Sequence, residues 1–134
     1  MPYLDPNNDA FTLNDYTLPW QMSRWEKYTF YTLLESIKPE CAIEIGTYKG
    51  GSLQVISDFS RHVYSIDIDS ELSLSAQKGF TNTEFLWGKS REILPELLER
   101  IAESGEKLNF VLVDGEHTPE GVKSDIEMIL QYKP

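Results

Sequence analysis

The sequence predicts an α/β fold with a doubly wound parallel sheet, and three observations support this prediction. Short apolar segments alternate with segments of helical periodicity through most of the chain. The connections between them are short, as expected for parallel strands joined by right-handed helical crossovers. The length of 134 residues allows one domain with one core. We therefore predict about four strands in the order 3-2-1-4, preceded by an N-terminal helix.

The first part of the chain is predicted to be an irregular arm followed by a helix. Residues 1–19 contain three prolines and several Asn and Asp residues, which are typical of irregular structure. Residues from about 21 to 37 have helical periodicity, and Pro39 closes this helix because the residue before a proline favours extended geometry. The predicted apolar stripe of the helix consists of Phe30, Leu33, Leu34 and Ile37. The domain proper is predicted over 20–134.

The strands and later helices follow in strict alternation. The predicted strands are 41–45, 62–66, 83–87 and 108–113, of which the last is the most hydrophobic, as a central parallel strand should be. The predicted helices are 52–59, a weak one near 71–78, one marked by the leucines from Leu94 with Pro95 in its first turn, and one that begins at Pro119 under a Thr118 cap. The last helix should bury Val122, Ile126, Ile129 and Leu130. Because the chain stops at Pro134 after a helix, the fourth strand is expected to remain an open edge.

Composition and charge argue against several classes of protein. There are 22 acidic and 12 basic residues, a net charge of −10, which argues against nucleic-acid binding because that requires a basic surface. The single cysteine, Cys41, excludes an internal disulfide framework and is expected in the core. The apolar runs are too short for a membrane span, and the polar N-terminus is unlike a secretion signal. We expect a cytoplasmic protein with a neutral or cationic small-molecule partner, and no nucleic acid or membrane partner.

Residues suited to ligand binding follow each predicted strand. In open α/β sheets, ligands bind beyond the carboxyl ends of the strands, near the point where the strand order reverses. The segments at these ends are 44–52, 67–69, 88–90 and 114–117. They are rich in glycines, acids and small hydroxyl residues, which a purely structural sheet edge would not need.

The first of these turns departs from the dinucleotide-binding pattern. Its sequence is E-x-G-x-x-x-G-G-S, with Tyr48 where that pattern has the glycine that lets the backbone approach a pyrophosphate. Tyr48 therefore disfavours NAD or FAD, which leaves a nicotinamide oxidoreductase as a weak alternative. Glu44 would repel a phosphate but suits a ligand with positive charge. The other interpretation is a turn that uses glycine for backbone geometry alone.

An acid at the end of the second strand is the candidate ribose ligand. Asp67 follows Glu44 by 23 positions, close to the spacing at which such an acid accepts hydrogen bonds from ribose hydroxyls. Asp69 is the weaker candidate because it is placed to interact with a helix dipole. A solvated acidic turn is the third interpretation.

Four motifs in order carry a family resemblance. They are E-I-G-T-x-x-G-G-S, Y-S-I-D-I-D, G-K-S-R-E-I-L-P-E-L and F-V-L-V-D-G-E-H-T-P-E-G-V. Over about residues 20–134 the chain resembles class I S-adenosylmethionine-dependent methyltransferases, and especially the small-molecule O-methyltransferases (catechol O-methyltransferase-like and cephalosporin-hydroxylase-like groups). The resemblance implies a Rossmann-like fold and methyl transfer from S-adenosylmethionine to a small-molecule acceptor, expected to be a hydroxyl oxygen. That family has a seven-stranded sheet, so the chain is expected to be truncated before the fifth strand, and its activity alone to be incomplete.

The resemblance also implies the residues that bind the cofactor. The glycine turn would hold the methionine part, Asp67 the ribose, and the residues after the third strand the adenine. S-adenosylmethionine carries a sulfonium, an ammonium, one carboxylate and no phosphate, so nearby carboxylates would favour it. The implied set is Glu44, Gly46, Thr47, Tyr48, Gly50, Ser52, Asp67, Gly88, Ser90 and Asp114.

Two residues after the fourth strand are candidates for catalysis. A hydroxyl acceptor of high pKa needs a base or a metal. The resemblance to metal-dependent relatives makes Asp114 a candidate Mg²⁺ ligand, and the alternative is an acid that hydrogen-bonds the loop or the cofactor's amino group. His117 is a candidate general base, although it could also face the adenine, cap a helix or face solvent. The alternative function is a non-catalytic binding or assembly domain, and a homodimer through the sheet edge or the N-terminal helix is expected.

Overall fold

Helices and strands alternate along the chain in this computed structural model, which describes residues 18, 23–47, 50–68, 72–114 and 119–131. The predicted arm lies outside this range except for Leu18, as does the Thr118 cap. The elements are α1 (Arg24–Ile37), β1 (Cys41–Ile45), α2 (Gly51–Phe59), β2 (His62–Asp67), α3 (Leu74–Gln77), β3 (Thr83–Trp87), α4 (Ser90–Ser104), β4 (Leu108–Val113) and α5 (Pro119–Gln131).

All the strand pairs are parallel, and the sheet order is β3-β2-β1-β4. The predicted fold class and strand order are confirmed. The strand order reverses between β1 and β4. Strands β2 and β3 are added in sequence on one side of β1, and β4 then pairs with the other side of β1. No helix within the described ranges is both long and apolar enough to cross a membrane.

Two apolar cores lie on opposite faces of the sheet. Residues of β1 alternate between them: Ala42 belongs to the core that includes Phe30 and Leu34 of α1, and Ile43 to the core beneath α4. All five residues of β1 are buried, because helices cover both faces of this strand. Cys41 is a core residue, as predicted, and burial raises the pKa of its thiol to about 12.

The buried stripes of α1 and α5 are narrower than predicted. In α1, Phe30 and Leu34 are buried, whereas the other two predicted members are exposed. In α5, Ile126 and Leu130 are exposed, because no strand among the described residues lies beyond β4 to cover them. Strand β4 lies at the edge of the described sheet, as the predicted strand order requires, and β4 and α5 border an apolar groove of about 340 Å³. This groove is lined by Val111, Val113, Ile126, Ile129 and Leu130.

The position of Pro95 corrects a second prediction. Helix α4 begins at Ser90, so Pro95 lies in the second turn and not in the first. A proline there leaves the carbonyl group of Arg91 without its helical N–H partner. Because Pro95 and Arg91 are both exposed, water can hydrogen-bond that carbonyl, which makes the proline tolerable.

Candidate functional site

Backbone hydrogen bonds bring the carboxyl ends of the four strands together. The Gly46 N–H donates to the Ile66 carbonyl at 2.7 Å, and the Asp114 N–H donates to the Ile45 carbonyl at 2.8 Å. On the other side of β2, the Gly88 N–H donates to the Asp67 carbonyl at 2.9 Å. The parallel register therefore continues one residue beyond the strands, and it places Asp67, Gly46 and Asp114 in adjacent positions at one edge.

Glu44 is the most unusual group at this edge. It lies on β1 on the face toward α2, and its side chain is fully buried. Its Oε2 atom accepts a hydrogen bond from the Ser52 hydroxyl in the first turn of α2. Its Oε1 atom is buried and has no hydrogen-bond partner among the residues that the structure describes. A buried carboxylate oxygen without a partner is costly, so this group is suited to receive a ligand donor.

The surroundings of Glu44 make its charge sensitive to a bound cation. The pKa of its carboxyl group is raised to about 8, mainly by burial and also by the charges of Asp114 and Asp67, while the hydrogen bond from Ser52 lowers it. Near neutral pH the carboxyl group is therefore largely protonated. A cation beside it would favour the ionised form.

The glycine turn is shaped by positive backbone angles and held by side chains. Gly50 has φ +87°, and a Cβ atom there would lie 2.9 Å from Cδ1 of Leu18. Leu18 is fixed to α2 because its N–H donates to Gln54 Oε1 at 3.0 Å and its carbonyl accepts from Gln54 Nε2 at 2.9 Å. The buried hydroxyls of Thr47 and Ser65 hydrogen-bond each other and so tie the turn to β2. Of the predicted turn residues, Tyr48 lies outside the described ranges.

Asp67 ends β2 and has apolar neighbours that the sequence reading missed. Its side chain is nearly buried. Ile68 follows it and is 58% exposed, and Trp87, paired with Asp67 across β2 and β3, is also exposed and stacks on Phe85 with ring centroids 5.7 Å apart. The signal that could have revealed them is a large apolar residue at the end of each of two neighbouring strands, where a polar turn begins.

Ser90 has a partner that sequence reasoning also missed. Its hydroxyl group donates to Oδ1 of Asp125 on α5 at 2.6 Å, on the α4/α5 side of the sheet. Gly88 precedes it with φ +145°, and extended Lys89 is the N-cap of α4.

Of the two candidate catalytic residues, the structure describes Asp114 but not His117. Asp114 is exposed at the end of β4, beside Gly46. His117 and the alternative ribose acid Asp69 lie outside the described residues. The described part of the chain contains no group of three or more His, Cys, Asp or Glu residues that could hold a metal ion. The role of Asp114 as a Mg²⁺ ligand therefore stays a prediction.

A family model described as a methyltransferase domain matches residues 43–133 and includes all four strand ends. The chain belongs to this methyltransferase family. The predicted class I S-adenosylmethionine-dependent methyltransferase resemblance is confirmed by this match, which covers more than half of the chain. No curated protein matches the chain by sequence.

Solved structures confirm the methyltransferase fold. A precorrin 8W decarboxylase from Methanobacterium thermoautotrophicum has a TM-score of 0.62 at 18% identity, with 88% of this chain and 61% of that one covered. A protein assigned as a caffeoyl-CoA O-methyltransferase from Staphylococcus aureus has a TM-score of 0.66 at 15% identity, with 96% of this chain and 63% of that one covered. An rRNA methylase from Streptococcus thermophilus has a TM-score of 0.57 at 15% identity, with 86% of this chain and 68% of that one covered. This methyltransferase domain thus spans less than two thirds of the length of the first two.

Proposed function

We propose that the domain predicted over residues 20–134 binds S-adenosylmethionine and serves methyl transfer to a small-molecule acceptor through a hydroxyl oxygen. The observation that carries this proposal is the buried Oε1 atom of Glu44, which has no partner among the described residues. It lies beside a glycine turn and within the electrostatic range of Asp67 and Asp114. Three acids at one sheet edge favour a cationic ligand and disfavour a dinucleotide with its phosphates.

The residues present fit the parts of this cofactor. Glu44 and the turn at Gly46 suit the charged methionine end, and the carboxylate of Asp67 can accept hydrogen bonds from ribose hydroxyls. The exposed apolar faces of Ile68 and Trp87 next to Asp67 suit a flat heterocycle, with Ser90 at its edge. When bound, the cofactor supplies an activated methyl group, and the chain's own task is to align the donor and exclude water.

Asp114 is the described residue that we place on the acceptor side. It is exposed, and its backbone is joined to β1 next to the glycine turn. An acid there can receive the hydroxyl proton or hold a Mg²⁺ ion that lowers the pKa of the acceptor. His117 is the second proposed base.

Binding of the nucleoside part is expected to depend on Asp67. Asp67→Ala should weaken S-adenosylmethionine binding by about 1–3 kcal/mol, since the ribose hydroxyls would lose their acceptor. The affinities are measured by calorimetric titration of both proteins. Glu103→Ala is the matched control, because it removes one negative charge from an exposed position at the far end of α4. Equal affinities for native protein and Asp67→Ala would remove Asp67 from the site.

Thermal unfolding with two ligands tests the proposal as a whole. A ligand at about 100 times its Kd should add about 2.7 kcal/mol to the free energy of unfolding. We expect this stabilisation from S-adenosylmethionine and none from NAD, and the reverse result would overturn the proposal. Binding without methyl transfer to any hydroxylated acceptor would favour the alternative, a non-catalytic cofactor-binding or assembly domain.

We further propose that two copies associate through the edge of β4 and the adjoining groove. The outer edge of β4 is unpaired within the described residues, and Leu130 is 58% exposed beside it. Light scattering should give the mass of a dimer, and Leu130→Glu should shift it to that of a monomer. Gln131→Glu, which adds the same charge at the next position, should leave the dimer intact. A monomer mass for the native chain at high concentration would refute this pairing.

The expected cytoplasmic location stays a prediction.

A further inference from the structure

We infer that Asp125 is a positioning residue which holds the Ser90 hydroxyl as a hydrogen-bond acceptor and thereby selects a 6-amino purine. The inference rests on the proposed function, because it concerns the adenine end of the proposed cofactor site. It adds to that site a residue from α5, a helix that none of the predicted cofactor contacts includes.

The surroundings of Asp125 are unfavourable for a carboxylate that serves packing alone. Its side chain is 1% exposed between α4 and α5. Its Oδ1 atom accepts the hydrogen bond from Ser90, and its buried Oδ2 atom has no partner in the described part of the chain. A buried, half-satisfied carboxylate costs free energy that an apolar side chain of similar size would not. Among the described residues, the hydrogen bond to Ser90 is the interaction that identifies what this carboxylate does.

The bond to Asp125 determines what Ser90 can offer to a ligand. A serine hydroxyl has one proton and two lone pairs. The proton is donated to Asp125 at 2.6 Å, so the two lone pairs are all that remain for another group. The Ser90 side chain is only partly buried, and it starts α4 two residues after Gly88, whose N–H is bonded to Asp67. Ser90 is therefore a fixed acceptor at the sheet edge where the ligand is proposed to bind.

A fixed acceptor that faces C6 distinguishes two purines with the same ring skeleton. Adenine carries an amino group at C6, which donates hydrogen bonds, whereas hypoxanthine carries an oxygen there, which accepts them. Against Ser90 the amino group forms a hydrogen bond, and the oxygen meets a second acceptor. If Asp125 were replaced by an apolar residue, the hydroxyl could rotate and donate to the oxygen. Selectivity for the 6-amino purine then depends on Asp125, which does not touch the ligand.

The test compares the affinities of S-adenosylhomocysteine and S-inosylhomocysteine by calorimetric titration. The native protein should prefer the adenosyl compound by about tenfold or more, the cost of an unmade hydrogen bond. Asp125→Leu, which fills the same space, should reduce the preference to nearly one, as should Ser90→Ala. The double variant should match Ser90→Ala, because both substitutions remove one interaction. Glu127→Leu, which removes an exposed acid from the same helix, is the control and should keep the preference.

The outcomes separate the inference from the proposed function. If Asp125 only supported the packing of α4 and α5, its replacement would weaken both ligands equally, and an unchanged ratio would overturn the inference. If Asp125→Leu did not fold, the smaller substitution Asp125→Ala should still lower the ratio, because it also removes the acceptor that holds the Ser90 hydroxyl proton. An unchanged ratio there would again overturn the inference. A native protein that binds neither compound would overturn the proposed function and the inference with it.

Discussion

The free energy of unfolding of Glu44→Gln is expected to vary much less with pH than that of the native protein between about pH 5 and pH 8. In the folded chain the pKa of Glu44 is raised to about 8, above its ordinary value of 4.5. The folded state thus binds this proton more tightly than the unfolded state does. The associated stability is fully present below the unfolded pKa and is lost as the pH rises toward the folded pKa. The loss is at most about 4 kcal/mol over this interval.

Chemical unfolding at a series of pH values measures this effect. Glu99→Gln is the control, because it makes the same chemical change at an exposed position on α4 and should keep the native slope. Parallel curves for the native protein and Glu44→Gln would show that Glu44 titrates normally. In that case the partnerless oxygen would no longer support a cation site. Because a bound cation favours ionised Glu44, the native affinity for S-adenosylmethionine should also rise as the pH is raised to about 8, and that of Glu44→Gln should not.

Leu94→Ala is expected to destabilise the domain by about 2–5 kcal/mol, because it leaves a cavity beneath α4. Leu94 is 0% exposed and belongs to the core that α4 forms with β1, where it packs with residues such as Ile43 and Leu97. The same helix begins at Ser90, so a shift of α4 should also weaken ligand binding. The control is Leu74→Ala on α3, where the side chain is 76% exposed and little stability should be lost. Similar midpoints in denaturant for both variants would contradict the assigned core.

Most of the fold was predictable because local and tertiary requirements agree. Strands β1, β3 and β4 have the predicted bounds, since each is a short apolar segment bounded by polar or turn-forming residues. Helix exposure was predicted less well. The periodicity of α5 indicates an apolar face, but whether Ile126 and Leu130 are buried depends on what lies beyond β4.

The candidate site was predictable only where its residues follow strands. Glu44 and Asp67 were identified because the carboxyl ends of neighbouring parallel strands meet at one edge. Asp125 was not, because its role comes from a hydrogen bond between two helices whose residues are 35 positions apart. Glu44 was predicted to bind the cofactor because it precedes the glycine turn, but neither its full burial nor its partnerless oxygen has any signature in the local sequence.

The amino-acid sequence alone determined the alternation of strands and helices, the parallel sheet, the methyltransferase family and the segments at the carboxyl ends of the strands. These follow from periodicity, glycine positions and the order of motifs, which are properties of short stretches of chain. Only the tertiary structure decided which acids are buried away from water and which hydroxyl group donates its proton to a buried carboxylate. Burial and hydrogen-bond partnership depend on residues brought together from distant parts of the chain, and the proposed charge and selectivity of the site rest on these two properties.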